Sequence, residues 1–399
     1  MNSAQSPQAL LITGGGWSLP RTARALHNRN ALAGLWVSNK NNIGLPPDKF
    51  RRCWPFHLAV KPFYHLTPWW CWVEKPFYVF FPLWKWWLKR QAWPACNVVH
   101  AVMGFATEPF DWADKHGALK VLEAPNSHPT SYYGYHQREC DLWCPGEKMP
   151  IPRSMFARMN RELDRADMVI FGSEFVRDTM LANGIPKEKL FVNPYGVDTS
   201  IFVPRKTVPR KPRFIIVGQI SLRKGHQYLF RAFQMVKRVL PDAELICVGD
   251  YRPDFRKERP LWEGTFTRYQ NVPVKQLAEL LAGSTAFVFP SIEEGFAAVI
   301  IEAMGAGLPV IASYESGATT LVENGVEGFI INPRDPQQLA DAMIRLARDH
   351  ELCQRMGEAA HRRGAVSNTW QDYGDRLLAE YSRRLNLPIR SGSSTSATT

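Results

Sequence analysis

The sequence predicts an α/β protein built from two domains. Three observations carry that prediction. Short apolar runs alternate with amphipathic stretches from one end of the chain to the other. At 399 residues the chain is long enough for two domains, each burying its own core. A Pro/basic stretch, Pro204 to Pro212, interrupts the alternation near the middle and reads as a linker.

Taken in order, the apolar runs Ala9–Thr13, Val98–Val102, Leu119–Glu123 and Met168–Phe171 predict strands of the first half. Helical spacing predicts helices over 153–166 and 174–183. In the second half, strands are expected at Arg213–Val217, Glu244–Val248, Ala286–Pro290, Val310–Ala312 and Phe329–Ile331. Helices are expected over 225–239, 275–282, 296–306 and 336–348, the 296–306 helix being followed by Gly307. A last amphipathic stretch, about Trp370–Leu385, follows a break near Ser367. The expected organisation is therefore 1–203, 204–369, a terminal helix over 370–388, and a polar tail over 389–399 that has too little apolar area to fold.

The bulk numbers restrict the function. Net charge is 49 − 37 = +12, which favours acidic partners such as nucleotide phosphates or an anionic membrane. No Lys/Arg tract, RNA-binding aromatic motif or zinc finger points to nucleic acid, and no nucleic-acid partner is expected. Seven scattered cysteines, an odd number, fit a reducing cytosol better than a disulfide framework. Cys140 and Cys144, with His128 and His136 nearby, lack the CxxC spacing of a zinc site, and no metal is expected. The first eleven residues lack the basic start and long apolar run of a secretory signal.

The segment Ser291–Ser313, SIEEGFAAVIIEAMGAGLPVIAS, is the most informative. It reads as strand, turn, helix, strand, with Gly295 at the turn into the helix. Such a turn frees the N–H groups of Gly295, Phe296 and Ala297 for an anion, which the helix dipole favours. Glu294 lies in the turn and Glu302 two helical turns on, about 12 Å away at 1.5 Å per residue. One carboxylate can then face a sugar and the other a ribose, with a diphosphate between them. Taken alone, the same pair fits two solvated glutamates on an α/β core.

Neighbouring motifs favour the functional reading. VGQISLRKG (217–225) is a glycine-flanked loop opening a helix, VNPYGVDTSIF (192–202) lies between the two halves, and LDRADMVIFGSEF (163–175) closes the first. Together with the Ser291–Ser313 segment, these resemble the signature of retaining GT-B glycosyltransferases of family 4, the "group 1" type. The resemblance is strong over about 160–370, and absent over about 40–93. It implies two Rossmann-like domains facing across a cleft, an acceptor-side domain first and a nucleotide-sugar domain second. The terminal helix would cross back onto the first domain. It also implies that cations and helix N-termini, rather than a metal or cofactor, meet the diphosphate.

Residue by residue, the resemblance implies Arg223 and Lys224 at the phosphates, Glu294 at the donor sugar and Glu302 at the ribose. Gly218, Gln219, Gly295, Phe296 and Ala297 would line the donor site. Gln219 stands where family members often carry Arg, and Arg223 can supply that charge. Gly15 and Gly16, in the Gly triplet after the first strand, permit close approach of a phosphate or acceptor. Asn97–Gly104 resembles the family's strand bearing a histidine that faces the donor sugar, but the usual position is Val102, so His100 is expected either as a catalytic residue or as a core histidine. Asn126, Ser127, His128 and Tyr195 are the acceptor-side candidates.

Residues 51–93 depart from this rhythm. They hold eight of the fourteen tryptophans and seven Lys/Arg against one acid, Glu74. That is the composition of a membrane interface, with rings at headgroup level and cations meeting anionic lipid. The same rings also fit an aromatic core. Two functions follow. One is sugar transfer to a membrane-associated glycolipid or polysaccharide precursor, in the cytoplasm or on the cytoplasmic face of a membrane. The other is transfer to a soluble sugar or sugar phosphate. A GT-B protein that binds nucleotide sugars without catalysis is the remaining alternative.

Overall fold

The computed structural model describes residues 6–15, 18–38, 43–66, 79–145, 153–198, 200–367 and 369–388. Two parallel sheets organise the chain. The first comprises β1 (Ala9–Ile12), β2 (Leu32–Val37), β3 (Phe50–Arg52), β4 (Val98–Val102), β5 (Leu119–Glu123), β6 (Met168–Phe171) and β7 (Leu190–Val192), in the order β3-β2-β1-β4-β5-β6-β7. The second comprises β8 (Arg213–Val217), β9 (Glu244–Val248), β10 (Thr267–Tyr269), β11 (Ala286–Phe289), β12 (Val310–Ser313) and β13 (Gly328–Ile331), in the order β10-β9-β8-β11-β12-β13. In each, the order reverses beside the first strand, between β1 and β4 and between β8 and β11. Loops at the carboxyl ends of those strands open onto a crevice.

The central strands are apolar on both faces because helices cover both. Every residue of β1, β4, β11 and β12 is buried. The edge strands β3, β7 and β10 are short and only partly buried. Together with β2, they carry no periodicity strong enough to stand out in the sequence.

The terminal helix Trp370–Arg384 returns to the first domain. Thr369 and Asp372 form a reciprocal capping box at its start. Its Tyr373, Leu377 and Tyr381 are fully buried in the core that also holds Leu19, Ala23 and Leu26. Gly374 lets it approach closely, since a Cβ there would stand 3.0 Å from that of Ala25. Arg376 Nε donates to Asn193 Oδ1 over 2.7 Å, tying the helix to the segment between the domains.

The Trp-rich region divides. Trp84 is fully buried and Trp87 nearly so, packed edge-on against Phe56, Phe105 and Trp36. Trp87 is thus a core residue rather than an interface one. Trp54 and Trp86 are 60% and 47% exposed. Trp69, Trp70 and Trp72 lie outside the described residues, as do Gly16 and the tail 389–399.

Candidate active site

The loop after β8 and the loop after β11 lie side by side at the carboxyl edge of the second sheet. Ile292 N and Ser291 Oγ both bond to Arg223 O, at 2.9 and 3.0 Å. Gly225 caps the helix His226–Val239 with φ 73°, a conformation that favours glycine, and a Cβ there would stand 2.0 Å from Pro290 O. The preceding Arg223 and Lys224 are thereby fixed against the Glu293–Glu294 turn.

Their side chains form one cluster. Arg223 Nη1 lies 3.0 Å from Glu294 Oε2, 3.1 Å from Glu293 O and 3.5 Å from Glu293 Oε2. Lys224 Nζ pairs with the same Glu294 oxygen and stands 4.7 Å over the Phe289 ring. Burial opposes the charge on Glu294, but the Arg223 and Lys224 cations outweigh it and hold the carboxyl below its ordinary range. Lys224 is pushed down by burial and by Arg223, against the pull of Glu294. Burial also disfavours the charge on Arg223, yet Glu294 and Glu293 raise its pKa above the ordinary value. Two cations thus converge on one carboxylate oxygen of a mostly covered side chain.

Glu293, which no motif singles out, is fully buried. Its Oε1 accepts from Ser127 N at 3.0 Å, joining the first-domain loop to the turn that carries Glu294. Burial, with Glu294 adding, raises its pKa. Gly295 completes the junction, since a Cβ there would stand 1.7 Å from Pro125 O. Ser173 Oγ donates to Gly295 O over 2.7 Å. The Phe296 ring packs edge-on against Tyr195 at 5.4 Å and crowds Gly172. These contacts hold 295–297 out of helical geometry, so the helix runs Ala298–Gly305 and begins two residues later than expected. The side chain of Ala297 is buried in the second core.

Glu302, on that helix, lines a cavity of about 710 Å³ between the domains. Arg21 and Arg24 form its first-domain wall, Val197 and Trp370 the hinge side, and Val274 the second-domain wall beside Glu302. Burial raises the Glu302 pKa, with Arg21 opposing. Gln219 is exposed, and Gly218 has φ 138°.

On the first-domain side, Gly15 N bonds to Thr13 Oγ1 at 3.1 Å, turning the chain away from β1. Asn126 is half-buried, Ser127 is buried, and His128 is the N-cap of helix Pro129–Trp143, its Nδ1 accepting from Thr130 N at 3.2 Å. Tyr195 OH donates to Glu123 Oε1 over 2.7 Å. His100 sits in β4. It is fully buried, with Nδ1 2.6 Å from Tyr381 OH and Nε2 3.1 Å from Glu123 Oε2. Its ring joins β4, β5 and the returning helix in a core position. Its alternation within a strand could not reveal this, because both faces of a parallel sheet are covered.

Residues 198–363 match the family described as Glycosyl transferases group 1. The chain is 27% identical over 237 residues to the MMP alpha-(1->4)-mannosyltransferase of Mycolicibacterium hassiacum, covering 58% of this chain and 57% of that protein. It is 26% identical over 279 residues to the GDP-mannose-dependent alpha-(1-6)-phosphatidylinositol monomannoside mannosyltransferase of Mycobacterium tuberculosis, covering 64% and 67%. The first of these relatives is thus matched over little more than half its length. The sucrose-phosphate synthase of Thermosynechococcus elongatus superposes with a TM-score of 0.71 at 19% identity, covering 96% of this chain and all of that one. The chain has the GT-B fold, and its second domain carries the match to the group 1 family.

Proposed function

We propose that the protein is a retaining glycosyltransferase that moves a sugar from a nucleotide-sugar donor to an acceptor hydroxyl. The observation that carries this reading is the placement of Arg223 and Lys224 on Glu294, at the start of a helix and on the crevice between two domains. A bound diphosphate exchanges with Glu294 for the two cations, and the freed carboxylate turns to hydroxyls of the donor sugar. Glu302, facing the interdomain cavity, takes the ribose hydroxyls, for which a carboxylate is a suitable acceptor.

As the bond from the anomeric carbon to the phosphate oxygen breaks, charge gathers on the leaving diphosphate. Arg223 and Lys224 stabilise it without a required metal. The acceptor hydroxyl attacks from the same face and its proton passes to the departing phosphate oxygen, so configuration is retained. The loop Asn126–His128 supplies the acceptor side, held in register by the bond from Ser127 N to Glu293.

The acceptor we propose is a glycolipid or polysaccharide precursor at the cytoplasmic face of a membrane. Trp54, Leu58, Val79 and Trp86 are exposed on the helices Trp54–Leu66 and Phe81–Leu88 and their approach. Arg90 lies 4.3 Å over the Trp86 ring. Apolar rings bearing cations suit an anionic headgroup layer. Among the described residues no helix is long and apolar enough to cross a membrane. The burial of Trp84 and Trp87 favours the second reading, a soluble sugar or sugar-phosphate acceptor.

The test is nucleotide release from a panel of UDP-, GDP- and ADP-sugars, with and without acceptor extracts, followed by NMR assignment of the product anomer. Release from one donor, an unchanged anomeric configuration and activity after chelation are expected. No release from any donor, an inverted product or a strict divalent-ion requirement would overturn the reading.

A further inference from the structure

Helix Pro129–Trp143 belongs to the first domain but lays one face on the second. Positions 132, 135, 136, 139 and 143 fall on one stripe at helical spacing. Glu139 accepts from Gln227 Nε2 and Tyr228 OH, each at 2.9 Å, and from Arg334 Nε at 2.7 Å. Trp143 Nε1 lies 3.3 Å from Tyr228 OH, and Arg334 stands 5.9 Å from the Tyr135 ring. Gln227 also donates to Leu222 O over 3.0 Å, inside the loop that carries Arg223 and Lys224. The stripe is therefore seated over the phosphate loop.

His136 occupies the middle of that stripe, its ring 4.2 Å from that of Tyr132. Its Nε2 is buried and has no hydrogen-bond partner among the described residues. A buried polar atom left unpaired is unfavourable, and a ligand that pairs it gains by doing so. Burial, reinforced by the Arg223 and Arg252 cations and opposed by Glu294, lowers the imidazole pKa to about 3. The ring is neutral in neutral solution.

We propose that His136 is a further donor-site residue whose Nε2 pairs with a hydroxyl of the donor sugar. A sugar hydroxyl both donates and accepts, so it satisfies either tautomer of a neutral imidazole. The phosphates already have the two cations. The inference rests on the nucleotide-sugar reading and extends it to a residue from the opposite domain.

The experiment starts from the wild-type enzyme with UDP-glucose, GDP-mannose and ADP-glucose. If none is bound or turned over, the parent reading fails and this inference falls with it. With the productive donor, His136→Ala is expected to lower kcat/KM roughly 10- to 100-fold. Affinity for the sugar-free nucleoside diphosphate should stay unchanged, and His136→Gln should restore part of the loss. Among donors lacking one ring hydroxyl each, one should show no further loss in His136→Ala. If His136→Ala fails to fold, His136→Gln with the same donor and diphosphate comparison decides. Wild-type kinetics in a folded variant, or equal loss of affinity for the diphosphate and the intact donor, would overturn the assignment.

Discussion

Arg223 Nη1 lies 3.0 Å from Glu294 Oε2, so the carboxylate proposed for the sugar pairs with a cation proposed for the phosphate. On the proposed function, substrate binding is an exchange of anions at this cationic pair. Removing either partner changes two functions at once.

Glu294→Ala should depress turnover by about 30- to 100-fold, the effect of losing a charge-assisted hydrogen bond worth about 2–3 kcal/mol. Nucleoside diphosphate should bind at least as tightly as to wild type, because its competitor is gone. Glu302→Ala should instead weaken the nucleotide. Titration calorimetry beside steady-state kinetics separates the two, and unchanged affinity and rate in both variants would contradict the assignment.

Lys224→Ala should weaken diphosphate binding more than Arg223→Ala if Lys224 is the principal contact. Comparable large losses would mean that Arg223 carries the charge missing at Gln219. Binding isotherms at two salt concentrations decide between them.

Gly295→Ala should remove most transfer activity. A Cβ at 1.7 Å from Pro125 O forces the two loops apart and displaces the Ser127 contact to Glu293. Nucleotide affinity should survive, since Arg223, Lys224 and Glu302 stand on the second domain alone. Loss of binding together with activity would show that the junction is needed to form the donor site itself.

His226 is fully buried, and burial depresses its pKa to about 3. Its folded value lies below its unfolded value near 6.5, so the unfolded chain binds the extra proton first. Stability should therefore be fully present above pH 6.5 and fall as pH drops, by about 1.4 kcal/mol per pH unit for one such histidine. Denaturant unfolding between pH 7 and 5 measures it, and His226→Asn should flatten the slope.

Trp87→Ser should cost about 3–5 kcal/mol, as for a large side chain removed from a packed core, because Trp87 packs edge-on against Trp36 at 5.9 Å. Trp86→Ser should leave the melting temperature nearly unchanged and weaken sedimentation with anionic vesicles. Neutralising Lys85, Lys89 and Arg90 should weaken it further at low salt. Wild-type protein that ignores such vesicles would move the soluble acceptor to first place.

The α/β class, the central strands and the motifs that hold Glu294, Glu302, Arg223 and Lys224 are legible in the order of residues. Those features are local, because a buried parallel strand is written as an apolar run and a tight turn as a glycine at a fixed place. Tertiary packing alone set Glu293 against Ser127, left His136 Nε2 buried without a partner among the described residues, and enclosed His100 between Tyr381 and Glu123. It also decided which of two adjacent tryptophans is core, since Trp86 and Trp87 share one composition and differ only in the helix face they occupy. Apolar patterning specifies that a side chain is buried, whereas partners from residues hundreds of positions away specify what it meets there.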